Sequence, residues 1–208
     1  MNNENLRYDI LKELFNISVG KAASLLSEII NRRILLTVPN VETFNLNNKE
    51  FLLDNYLPKE IDGALMVSSI SFHENLKGKA NLIFPAQKMR TFINLCVNED
   101  NSEMNFTDID FDIIKEIGNI ILNSIVGEIG NYLDLSLDYT LPEVKVYSRP
   151  SFSKNIEEDN EYTHLLILFI TFVIDETEIE GVIVVNLTLS SLNELMKNID
   201  RIEKKLYE

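Results

Sequence analysis

Apolar residues recur at three- and four-residue steps near the start of the chain: Leu11, Leu14, Ala22, Leu25 and Ile29. That spacing predicts a long amphipathic helix from Leu6 to Ile30. The next apolar run, Ile34 to Val38, has strand character and is closed by Pro39. Asn45 to Asp62 is polar and mixed, which predicts a loop with a short edge element. Ala64–Phe72 and Lys79–Phe84 form two strand-like runs around a turn containing Lys77 and Gly78. Pro85 then opens a helix reaching to Val97, because proline's missing N–H costs little at the first helical position.

The second half repeats this order. Thr107 is an N-cap candidate for a helix running to Tyr132. Strand-like stretches follow at Leu141–Tyr147, Tyr162–Ile174 and Glu180–Asn186, and a helix from Ser190 to Leu206 ends the pattern. The acidic stretch Ile156–Glu161 reads as a mobile surface loop.

The halves therefore read helix, strand, strand, strand, helix, twice. Short turns at Lys77–Gly78 and between Asp175 and Glu180 require antiparallel neighbours, since parallel strands need long crossovers. The expected fold is α/β of the α+β type: one mainly antiparallel sheet, covered on a face by long helices, in two pseudo-symmetric repeats of about 1–100 and 104–208. Neither half alone has enough sheet or core, so residues 1–208 are expected to form a single domain.

Bulk properties narrow the function. With 19 Lys plus Arg against 33 Asp plus Glu, the formal net charge is -14. Such a field repels nucleic-acid phosphates and anionic lipid. The densest basic cluster, Arg201, Lys204 and Lys205, is interrupted by Asp200 and Glu203 and reads as a solvated helix face. No nucleic acid and no membrane is expected as a partner. Met1–Tyr8 carries no apolar signal segment, and Leu165–Ile174 is about half a membrane span, reading as a buried strand. Cys96 is the single cysteine, set among Phe92, Ile93, Leu95 and Val97; it reads as a buried structural thiol in a reducing compartment. A cytoplasmic protein is expected. His73 and His164 lack ligand spacing, and no metal cluster, phosphate loop or nucleophile elbow is expected.

One polar pattern stands out on the two repeat helices. Asp9, Glu13, Asn16 and Gly20 are spaced to share one face of the first, and Asp112, Glu116, Asn119 and Asn123 one face of the second. Subtracting matching numbers (112 − 9, 116 − 13, 119 − 16) gives 103 each time, as does 142 − 39 for the prolines that follow. Any amphipathic helix exposes carboxylates and amides. A whole polar face kept in two diverged copies at one fixed offset asks for a further cause, although Lys12 and Lys115 match as well.

Asp9-Glu13-Asn16-Pro39 and Asp112-Glu116-Asn119-Pro142 resemble the motif of the CheC, CheX and FliY family of response-regulator phosphatases. That motif runs Asp or Ser, three residues, Glu, two residues, Asn, 22 residues, Pro. Two motifs in a chain of 208 residues resemble the CheC branch; CheX-like members carry one, and FliY-like members would add a flagellar-switch domain for which no sequence remains here. The resemblance implies a phosphatase acting on the aspartyl phosphate of a CheY-like chemotaxis response regulator. It assigns water positioning to Asn16 and Asn119 and anchoring of the regulator to Glu13 and Glu116, with Asp9 and Asp112 as weaker partner-contacting candidates. The Mg²⁺ would be the regulator's, so no cofactor of its own is implied. Asn suits the role because it offers an acceptor and donors without being a strong base.

The resemblance also implies an alternative, a non-catalytic adaptor binding a CheD-like receptor deamidase together with phosphorylated regulator. Internal duplication supplies the pairing that a one-motif protein would gain by dimerising, so a monomer is expected. Three positions depart from the family pattern. Gly118 keeps the small residue usual before the asparagine, whereas Phe15 replaces it at the first motif and either crowds the partner or packs inward. Lys21 and Asn123 also differ from residues common there. The second motif is the one expected to be more competent.

Overall fold

The computed structural model describes residues 3–48, 50–57, 63–97, 106–159 and 161–207. The first half forms α1 (Asn3–Ile30), β1 (Ile34–Asn45), β2 (Ala64–Glu74), β3 (Gly78–Pro85) and α2 (Ala86–Val97), with a 3-10 turn at Leu53–Asn55. The second forms α3 (Asp108–Leu133), β4 (Leu137–Tyr139), β5 (Glu143–Ser148), α4 (Arg149–Glu157), β6 (His164–Ile174), β7 (Thr177–Leu187) and α5 (Leu189–Tyr207). Thr107 does cap α3: its hydroxyl accepts from the Asp110 N–H, and the Asp110 carboxylate accepts from the Thr107 N–H in return.

All strand pairs are antiparallel, in the order β1-β6-β7-β3-β2-β4, with β5 also on β2. The order is palindromic. The first strand of each half pairs with the second strand of the other, β1 with β6 and β5 with β2, while β3 and β7 meet at the centre. The expected pseudo-twofold relation is thereby built into the sheet, and the two halves are interlaced within it.

Helices α1, α2, α3 and α5 cover one face, over a core that includes Leu11, Phe15, Val19 and Leu26 from α1 and Ile114, Ile117, Ile121 and Ile125 from α3. A smaller core lies on the opposite face. There Leu53 and Leu57, with Phe152 and Ile156 of α4, pack on Leu65, Val67, Ile83, Ile167, Val182 and Val184. The central strands are thus apolar on both sides, which explains the uninterrupted run in β6. No helix among the described residues is long and apolar enough to cross a membrane.

Two sequence expectations need correction. The acidic stretch Ile156–Glu161 is not wholly a loop: its first residues end α4, and Ile156 is buried. Ser148 caps that helix, with Pro150 in its first turn. β1 also does not stop at Pro39 but continues to Asn45. Its register passes from Thr37↔Thr171 to Asn40↔Phe169, so Val38 and Pro39 together face Ile170 in a β-bulge. An edge strand tolerates proline there because no ladder N–H is lost.

α1 and α3 lie side by side. Lys21 Nζ is 2.7 Å from Glu128, and Leu26, Ile29 and Ile30 line one groove with Ile113, Ile117 and Ile120. The end of α1 therefore meets the start of α3, while Lys21 further back on α1 reaches Glu128 further along α3. The helices run antiparallel, and the two motifs lie toward opposite ends of the pair.

Candidate functional site

Asp9, Glu13 and Asn16 lie on α1, and Asp112, Glu116 and Asn119 on α3. Both glutamates and both aspartates are exposed, while the asparagines are half-buried. The helical register thus places each glutamate outermost, with the amide one turn further along and closer to the sheet.

The surroundings of the two asparagines differ. Asn16 Nδ2 donates to the Val38 carbonyl at 3.1 Å and to the Lys12 carbonyl at 2.9 Å, while its Oδ1 accepts from the Val38 N–H at 2.9 Å. Both backbone groups of Val38, freed from the ladder by the bulge, are thereby satisfied by one side chain. Asn119 has no such partner. Its Oδ1 accepts from Asn123 Nδ2 at 2.6 Å, and its own Nδ2 makes no hydrogen bond among the described residues.

The strands explain this difference. The counterpart of β1 is broken into β4 and β5. At the break, Leu141, the repeat equivalent of Val38, is 80% exposed. The ladder is held there instead by Thr140, whose N–H donates to the Ser71 carbonyl at 2.9 Å and whose Oγ1 accepts from the Ser71 N–H at 3.0 Å. At the first site Gly20 occupies the place of Asn123 and cannot offer an amide.

Gly118 has a local cause. A Cβ there would lie 2.1 Å from Ser68 Oγ and 2.6 Å from Ser68 Cβ, so α3 approaches β2 more closely than any side chain permits. Phe15, at the equivalent place on α1, is fully buried and packs inward. It does not project toward an approaching partner.

Two depressions flank the second motif. Glu116 borders the apolar groove of about 270 Å³ between α1, α2 and α3, which Cys96 also lines. Asp112 and Pro142 share a shallow depression of about 460 Å³ with Lys115, Glu143 and Lys145. Pro39 lines a separate hollow with Tyr56, Leu57 and Phe169, which none of Asp9, Glu13 and Asn16 lines. Among the described residues, no group of three or more His, Cys, Asp or Glu could hold a metal ion.

Sequence reasoning missed the Val38 backbone and Ser68, since neither carries a distinctive side chain. The signal for Val38 lay in the spacer: Val38 stands 22 positions after Asn16 and immediately precedes Pro39.

A model of the CheC-like family matches residues 8–42, the span that holds the whole first motif. The CheY-P phosphatase CheC of Bacillus subtilis is 25% identical over 143 residues. That alignment spans 66% of this chain and 65% of the relative, slightly under two thirds of its length. Among solved structures, FliY of Thermotoga maritima superposes with a TM-score of 0.74 at 18% identity, covering 97% of this chain and 98% of that one. The FliM middle domain of H. pylori gives a TM-score of 0.60 at 13% identity, over 95% of this chain and 99% of that one. The resemblance to the CheC/CheX/FliY family, first visible in two motifs, therefore extends to a curated relative and to the fold.

Proposed function

We propose that this chain hydrolyses the aspartyl phosphate of a CheY-like chemotaxis response regulator, with the second motif as its working site. The observation that carries this reading is the state of Asn119, half-buried one turn beyond exposed Glu116, with Nδ2 unspent and one lone pair of Oδ1 still available. The B. subtilis relative, a CheY-P phosphatase, supports this reading.

Hydrolysis of an acyl phosphate is an in-line displacement: water's oxygen bonds to phosphorus, the P–O bond to the aspartate breaks, and water's proton leaves with phosphate or solvent. Catalysis rests on placing that water and on electrostatics. In this reading Glu116 anchors a lysine of the regulator, and the Asn119 carbonyl accepts a hydrogen from the water, aiming its lone pair at phosphorus. Asp112 contacts the partner at the rim. The regulator brings its own Mg²⁺. Glu13, Asn16 and Asp9 are the corresponding groups at the first motif, where the Asn16 amide is tied to the backbone of Val38 and Lys12 through both its oxygen and its nitrogen.

The setting is the cytoplasm, where such regulators work, and the interlaced halves need no second copy of the chain. The test follows phosphate loss from a phosphorylated, Mg²⁺-bound regulator with wild type, Asn16→Ala, Asn119→Ala and the double variant. Acceleration by wild type that Asn119→Ala abolishes is the expected result. A wild type that binds the regulator without speeding its decay would replace catalysis with an adaptor role, to be followed by capture of a CheD-like deamidase.

A further inference from the structure

Asn123 is the polar residue of the second motif face to which neither the motif nor the comparisons give a role. It sits one helical turn after Asn119, and its Nδ2 donates to Asn119 Oδ1 at 2.6 Å. Its own Oδ1 is buried and makes no hydrogen bond among the described residues. An apolar residue would avoid that cost, because a buried carbonyl without a donor destabilises the fold. The equivalent place on α1 is Gly20, which carries no side chain, and a Cβ added there would meet nothing within 4 Å among the described residues.

We infer that Asn123 is a positioning residue for Asn119, an inference that rests on the proposed phosphatase reading. The bond restrains rotation of the Asn119 amide by holding its oxygen beside Asn123. One lone pair of Oδ1 takes the Asn123 donor and the other remains for the attacking water. A fixed amide aims that water; an amide free to rotate would present its donor side as often as its acceptor side. The first motif, with Gly20 in this place, has no such device, and its asparagine is held by the bulge of β1 instead.

The experiment is steady-state hydrolysis of a phosphorylated, Mg²⁺-bound regulator by wild type, Asn119→Ala, Asn123→Ala and Asn123→Ser, alongside thermal melting of each protein. Asn123→Ala is expected to lower kcat about tenfold, as loss of alignment does. KM should stay unchanged, because Glu116 and the rim still bind the partner. Its melting temperature should hold or rise, since the unpaired buried oxygen is gone. Asn123→Ser, which keeps a donor, should regain part of the rate. The inference is overturned if kcat is unchanged in Asn123→Ala while Asn119→Ala is inactive, or if kcat and melting temperature fall together. A wild type without activity removes both this inference and the reading beneath it.

Discussion

The side chain of Asn16 closes both backbone groups of Val38, accepting from its N–H at 2.9 Å and donating to its carbonyl at 3.1 Å. Val38 is itself 1% exposed, so water cannot readily replace the amide. Asn16→Ala should therefore cost about 2 kcal/mol, the usual penalty for orphaning buried backbone groups. Asn119→Ala, which frees no backbone group and removes only the acceptor of the Asn123 amide, should cost less, about 1 kcal/mol. Urea unfolding of the two variants decides this, and equal stabilities would show that the bulge does not depend on Asn16.

At Gly118, α3 approaches Ser68 of β2 closely. Gly118→Ala forces a Cβ to within 2.1 Å of Ser68 Oγ, so the helix must lift or β2 must yield. Overpacking of this kind costs about 1–3 kcal/mol, and here it also displaces the adjoining Asn119. Adding Ser68→Gly removes both atoms in the way, and the double variant should recover stability and phosphatase rate together. Independent, additive losses in the double-mutant cycle would contradict direct contact.

The helices and strands could be anticipated because their apolar periods are long and the repeat states each of them twice. Thr107 and the paired motifs also announce themselves through side-chain chemistry. Other features depend on contacts distant in sequence. The continuation of β1 beyond Pro39 follows from pairing with β6, some 130 residues later, and from a side chain on α1 that stabilises the bulge. The inward packing of Phe15 depends on the space beneath α1, which the local sequence does not specify. α4 was hidden by its short, polar sequence, and only the smaller core on the far face explains why Phe152 and Ile156 are apolar. The inequality of the two sites has the same origin, since 103 residues separate two equal motifs whose adjoining strands are unequal.

Asp110 links helix capping to helix docking. Burial pushes its carboxyl pKa up, but the hydrogen bonds from Thr107 and the Arg90 guanidinium at 3.0 Å outweigh burial and hold it below the ordinary value. The folded state therefore binds its proton less readily than the unfolded chain. This stabilisation is fully present above the unfolded pKa of about 4 and is lost as pH falls through the lower folded value. Asp110→Asn should cost about 1–2 kcal/mol near neutral pH, because Arg90 loses the Asp110 carboxylate and the start of α3 loses a charged acceptor. The gap between variant and wild type should narrow progressively below about pH 4 in denaturant titrations. A gap independent of pH would assign the loss to packing alone.

Cys96 lines the groove beside Glu116, which makes its reactivity a probe of that surface. Burial pushes the thiol pKa up to about 12, only partly opposed by the positive charge of Arg32. At neutral pH almost none of it is thiolate, and thiolate is the form that alkylates. Iodoacetamide should therefore label the native protein at least about a hundredfold more slowly than glutathione, and the urea-unfolded chain at an ordinary rate. Native labelling as fast as glutathione would mean that α2 opens readily over the groove. Slow labelling that slows further when phosphorylated regulator is added would place the partner over this groove.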